Sequence, residues 1–129
     1  MTMKRFATTL AVLGGLFLLY TGVSFLLAPQ ATAEGFGVPL RPQGGGEGFL
    51  MVKGMRDIGF GLVILVLLAG QRKALGMAMA AMAVVPVGDM TIVLSHGGPA
   101  ATAYGVHGLA AAVVAVTAGL LLRERSAAA

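Results

Sequence analysis

The sequence predicts an all-α protein, a four-helix transmembrane bundle, and three observations carry that expectation. Of its 129 residues 57% are hydrophobic and 11% charged, with a mean hydropathy of +0.90, which is far more apolar than a water-soluble domain of this length. Mainly apolar stretches at residues 6–27, 50–69, 74–94 and 101–122 each approach the roughly 20 residues that a helix needs to cross a hydrocarbon core about 30 Å thick. The nine Lys and Arg residues are scattered in ones and twos, mostly at the ends of those stretches, as membrane anchors are. Residues 1–129 therefore read as a single integral membrane domain.

The first span, 6–27, follows Lys4 and Arg5 and is interrupted only mildly by Thr8, Thr9, Tyr20, Thr21 and Ser24. Its start resembles a cleavable leader, because Ala31, Thr32 and Ala33 precede Glu34 much as small residues precede a cleavage site. The apolar run is longer than the roughly 7 to 15 residues of a signal peptide, so residues 1–33 are expected to stay. Between Pro29 and Phe49 lie Pro39, Pro42 and the glycines at 44, 45, 46 and 48, and neither helix nor strand is expected there. Those glycines do not form a nucleotide site. Lys53-Gly54 reverses the order that a phosphate loop needs, and Met51 stands where the dinucleotide pattern has its last glycine.

The second span, 50–69, takes Lys53, Arg56 and Asp57 into the membrane ahead of the uninterrupted apolar run 62–68, and ends at Gly70, Gln71, Arg72 and Lys73. The third, 74–94, is rich in Ala and Met. Pro86 has no amide hydrogen, so the carbonyl of Met82 loses its helical partner and the span should bend one turn before Asp89. Ser95, His96, Gly97, Gly98 and Pro99 form a turn, and the fourth span, 101–122, stops at Arg123, Glu124 and Arg125.

Positive residues in short loops remain on the cytoplasmic side. Lys4, Arg5, Arg72, Lys73, Arg123 and Arg125 fall on one side of a four-span chain, against Arg41 in the opposite loops. A multi-pass protein of the cell (inner or plasma) membrane with both termini in the cytoplasm follows, and its first partner is the lipid bilayer. The net charge of +4 is too dispersed for nucleic acid to be a partner. The absence of cysteine excludes disulfides, thiolate metal sites and cysteine nucleophiles. No cofactor motif is present. A metal centre from Asp89, His96 and His107 is disfavoured, since the chain has no close ligand pair such as two histidines four residues apart.

At 1.5 Å per residue, Asp57, Asp89 and His107 all fall roughly 8 to 10 Å below the outer surface. Arg56 shares that level and Lys53 lies one helical turn above Asp57. An isolated charge at the bilayer centre costs about 2.5 to 3.5 kcal/mol, so these groups should face one another in the interior. Two cations and two carboxylates balance, and Arg56 is expected to reach Asp89 across the helix interface. Small residues at Gly54, Gly61, Gly76, Ala80, Gly105, Gly108 and Ala112 should allow close packing elsewhere, which leaves the polar layer as the expected void and the cytoplasmic half dry.

Several of these residues also resemble a known family. Ala28-Pro29, Gly35-Phe36-Gly37-Val38-Pro39, Lys53-Gly54-Met55-Arg56-Asp57 with Gly59 and Gly61, Val85-Pro86-Val87-Gly88-Asp89 and His107-Gly108 together resemble the small membrane proteins of domain-of-unknown-function family 4267. The likeness covers most of the chain, and its Lys-Gly-x-Arg-Asp element is the most specific part. It implies four membrane helices with a distant similarity to DoxX-like proteins, and no activity.

Lys53, Arg56, Asp57, Asp89 and His107 are thus the candidate binding residues, with no catalytic residue assigned. The favoured function is a binding or accessory protein, rather than an enzyme, whose outer-leaflet pocket takes a small amphipathic ligand of quinone or lipid type at Arg56 and Lys53. The alternatives are a proton-coupled small transporter using Asp89 or Asp57 with His107, and a membrane isomerase or oxidoreductase with Asp89 and His107 as acid and base. A purely structural ion-pair network that sets helix register competes with all of them. A homodimer or larger membrane complex is a further possible partner.

Overall fold

The computed structural model describes residues 1–38 and 46–124, and every regular element in them is helical. Pro39, Arg41, Pro42, Gly44, Gly45 and Arg125 lie outside the described residues. Helix α1 (Met3–Leu27) starts at Thr2, whose hydroxyl accepts the Arg5 amide at 3.3 Å and satisfies one of the first-turn donors. Helix α3 (Gly46–Gly70) runs antiparallel to it, and the two are held close by glycines spaced seven apart on each side. A Cβ at Gly22 would sit 2.6 Å from the carbonyl oxygen of Gly54, and one at Gly61 would sit 2.8 Å from that of Gly15. Only residues without side chains allow backbones to approach so closely.

Between them lies helix α2 (Pro29–Phe36), a correction to the expectation that residues 29–49 hold no helix. Pro29 occupies the first turn, where its fixed φ suits a helix and its missing N–H costs nothing. Gly37, in the left-handed conformation with φ 93°, ends the helix. Proline and glycine here punctuate a short helix instead of abolishing one.

The third apolar stretch forms α4 (Arg72–Met82) and α5 (Val84–Ser95), interrupted at Ala83, one turn before Pro86. Helix α5 closes in a Schellman motif. The amide of Gly98 bonds the Val93 carbonyl at 2.8 Å and that of Gly97, φ 71°, bonds Leu94 at 3.2 Å. The last stretch comprises α6 (Ala100–Thr102), a π turn (Ala103–Gly108) and α7 (Leu109–Arg123).

Helix α1 lies against both α3 and α7, α4 packs on α7, and α5 packs on the π turn. The apolar core of Ala7, Ala11, Ile64, Leu75, Met79, Ala118 and Leu121 fills one half of the bundle. Gly76 packs on Leu121 and Leu122, whereas Gly105 meets no neighbour and Ala80 and Ala112 are exposed; those three small residues lie outside the helix contacts expected of them.

Much of the outer surface is apolar: Leu13, Leu62, Val66, Val84 and Leu109 are each at least half exposed. Water would penalise that surface, while lipid does not. Three helical stretches, Met3–Leu27, Arg72–Ser95 and Ala100–Arg123, are long and apolar enough to cross a membrane. Helix α3 equals α1 in length at 25 residues but carries Lys53, Arg56 and Asp57.

Candidate functional site

The half of the bundle away from the apolar core contains Lys53, Asp57, Asp89 and His107. On α3, Lys53 and Asp57 stand four residues apart on one face, and Lys53 Nζ donates to Asp57 Oδ2 at 2.8 Å. The Thr21 hydroxyl of α1 approaches the same oxygen at 3.4 Å. Asp57 is only 8% exposed, so its charge depends on these partners.

Across the bundle, His107 of the π turn is 5% exposed. Its Nε2 lies 2.8 Å from the backbone carbonyl of Phe36, and a carbonyl only accepts, so Nε2 carries the hydrogen. Nδ1 then faces Asp89 Oδ2 on α5 at 3.9 Å, within ion-pairing range and too long for a direct hydrogen bond. π turns widen a helix locally and recur at functional sites. This one carries the only buried histidine among the described residues.

The two pairs are joined by aromatic rings. Phe36, the last residue of α2, stands between them, with its ring centroid 4.3 Å from that of His107 and 4.9 Å from Lys53 Nζ. Phe25 of α1 offers Lys53 a second face at 4.6 Å and meets Phe36 edge-on at 6.4 Å. An ammonium between two ring faces is attracted to their quadrupoles, most strongly where water is scarce. Asp89 also lies within electrostatic reach of both Lys53 and Asp57.

Of the residues singled out in the sequence, Lys53, Asp57, Asp89 and His107 come together and Arg56 does not. Arg56 is exposed and forms no ion pair with Asp89 among the described residues. Each helical residue turns about 100°, which carries Arg56 off the Asp57 face, and its long side chain can extend to the polar surface where a buried one would need a partner. The expected charge balance therefore fails, leaving one cation against two carboxylates. Two hollows on the surface, an apolar one along Leu19, Tyr20, Val23 and Leu27 and a second between Gln30, Glu34 and Glu47, do not include the four clustered residues.

Phe25, Phe36 and Thr21 escaped the sequence reading because apolar rings and a threonine are ordinary membrane residues. The pattern Gly35-Phe36-Gly37 was the available signal. At the opposite end of the bundle, beyond the apolar core, Arg72 pairs with Glu124 and donates to the Thr8 hydroxyl at 3.0 Å, at the helix ends where the sequence places both residues. His96 is exposed and caps α5, with Nδ1 3.0 Å from the Ile92 carbonyl. No group of three metal-ligating side chains occurs among the described residues.

Long apolar helices with a lipid-compatible exterior and an interior polar cluster are the features of an integral membrane protein. The chain belongs to the family described as a domain of unknown function, DUF4267, whose model matches residues 15–121. No curated protein and no solved structure matches it.

Proposed function

We propose that the chain is a four-span membrane protein, with α3 as the additional span and both termini in the cytoplasm, that binds a small amphipathic ligand at the Lys53, Asp57, Asp89 and His107 cluster. At about 1.5 Å per residue α3 is long enough to cross, and its two inward charges, Lys53 and Asp57, meet each other while Arg56 is exposed with a side chain long enough to extend toward an interface. The beginning of α1, the beginning of α4 and the end of α7 meet at Lys4, Arg72 and Glu124, which supports one basic cytoplasmic face.

The observation that carries the binding reading is the bond from His107 to the Phe36 carbonyl. It ties α2 over an interior polar cluster on one short helix end, so a ligand that enters the cluster must compete with that bond or with the Phe36 ring. The ligand classes expected from the sequence, quinone or lipid, had both Arg56 and Lys53 free to meet a polar head. Lys53 is engaged by Asp57, which leaves Arg56 at the rim for that role.

Titration of the protein in lipid nanodiscs with a short-chain quinone and with short-chain phospholipids tests this reading, with amide hydrogen exchange of α2 as the signal. Ligand-dependent change in α2 exchange is expected for the native chain and is lost in His107→Ala. If no amphiphile alters α2 exchange, the reading fails.

A proton-coupled transporter is the second reading, favoured by the apposition of Asp89 and His107. Opposing it, Ile64, Leu75, Met79 and Leu121 form an apolar core between the cluster and the Arg72–Glu124 pair, and among the described residues no buried titratable group lies in that core to continue a path.

A further inference from the structure

We propose that the cluster holds one exchangeable positive charge, a proton in the unliganded protein and the ammonium head of a small amphipathic cation when ligand is bound. This inference rests on the binding reading above and specifies its ligand class.

The first support is the charge count. With Arg56 exposed and Arg72 engaged by Glu124 at the opposite end, the cluster contains, among the described residues, Lys53 against Asp57 and Asp89. One negative charge is uncompensated while His107 is neutral, and an interior of low dielectric penalises that state. The second support is His107 itself, whose Nε2 hydrogen is committed to Phe36 while Nδ1 has no hydrogen-bond partner among the described residues and points at Asp89. A proton on this pair supplies the missing charge, and at 3.9 Å Nδ1 and the Asp89 carboxylate are within ion-pairing range of each other. The third support is the lining. Phe25 and Phe36 already hold one ammonium, that of Lys53, at 4.6 and 4.9 Å, so these walls suit a second cation of the same kind.

Among the described residues the groups that face the pair are few. Lys53 and Asp57 come from α3, the Thr21 hydroxyl from α1, and from α2 only the Phe36 ring and carbonyl, since Glu34 is exposed. The exchange balances without breaking any carbon bond: one cation arrives at Asp89, and one proton leaves the Asp89 and His107 pair for the solvent. An ammonium could come from a free amphipathic amine or from a choline headgroup, and the experiment separates the two.

The intact chain in detergent is titrated with hexyltrimethylammonium and, separately, with dihexanoylphosphatidylcholine. Heat and proton release are read together in weakly buffered solution. Saturable binding with about one proton released per cation is expected, and Asp89→Asn should abolish the release and weaken binding by about tenfold or more, as loss of a charged partner does. Phe36→Leu, which preserves bulk but removes the ring face, should weaken binding about threefold and leave the proton release intact. It also serves if Asp89→Asn does not fold. Binding of the phospholipid alone assigns the ammonium to a lipid head and supports the proposal. Binding without proton release, binding unaffected by both variants, or binding of neither compound overturns it. Should hexanesulfonate or a short-chain quinone bind instead, in a His107-dependent way, the cation is wrong while the amphipathic-ligand reading stands.

Discussion

Arg72 grips Glu124 through two parallel contacts, Nε to Oε2 at 2.7 Å and a terminal nitrogen to Oε1 at 2.6 Å, and so joins the start of α4 to the end of α7. The same guanidinium donates to Thr8 of α1, which makes it the polar tie of three helix ends. The hydrogen bond from Arg72 holds the Glu124 carboxyl below its ordinary value of 4.5, aided by the charges of Arg72 and Lys4 and opposed by partial burial. A depressed carboxyl contributes stability above its unfolded value and loses it as pH falls through the folded one. Glu124→Gln should therefore cost about 1 to 2 kcal/mol at neutral pH and flatten the decline in melting temperature below about pH 4.5. Thermal melts in detergent across that range check it, and equal acid sensitivity in both proteins would remove Glu124 from the account.

The contact between Gly22 and Gly54 is backbone on backbone, so no side chain can move aside. Gly22→Ala is expected to destabilise by about 1 to 3 kcal/mol by forcing α1 and α3 apart. Gly14, whose added Cβ meets nothing within 4 Å, provides the contrast. Gly14→Ala should gain about 0.5 to 1 kcal/mol from helix propensity alone. Similar melting temperatures for the two variants would contradict the close approach.

His107→Ala leaves the Phe36 carbonyl without its donor and removes the ring that packs on Phe36. A cost of about 1 to 3 kcal/mol is expected, together with faster amide exchange across α2 while α7 is unaffected. Unchanged exchange in α2 would mean that other contacts, such as Gln30 to Glu47 at 2.8 Å, hold the helix in place.

Because the chain has no cysteine, its topology can be read with single cysteines and an impermeant maleimide. Four spans require cysteines at Gln30 and His96 to react in intact cells, and those at Thr2, Lys73 and Arg123 only after permeabilisation. If positions 73 and 96 label from the same side, the orientation proposed here is wrong.

Much of the candidate site is legible in linear order, because ionisable residues in apolar stretches are few and their levels follow from a fixed rise per residue. Lys53, Asp57, Asp89 and His107 could be marked in that way. Rotation about the helix axis could not, and it decides Arg56: one residue from Asp57 amounts to about 100°, and a side chain long enough to reach an interface is free to face outward. Helix α2 was missed for another reason. Pro29 and Gly37 are breakers inside a helix and good terminators at its ends, and local composition does not separate those roles.

By itself the sequence determined the all-helical class, the apolar stretches and the level at which charge enters them, since hydropathy and rise per residue are local properties. Only the tertiary structure decided which charges meet, that Phe36 stands between Lys53 and His107, and that Arg72 and Glu124 pair 52 residues apart in the chain. Those outcomes depend on how helices rotate and approach, and at Gly22 and Gly54 that approach is set by two backbones in contact, a relation that no single segment contains.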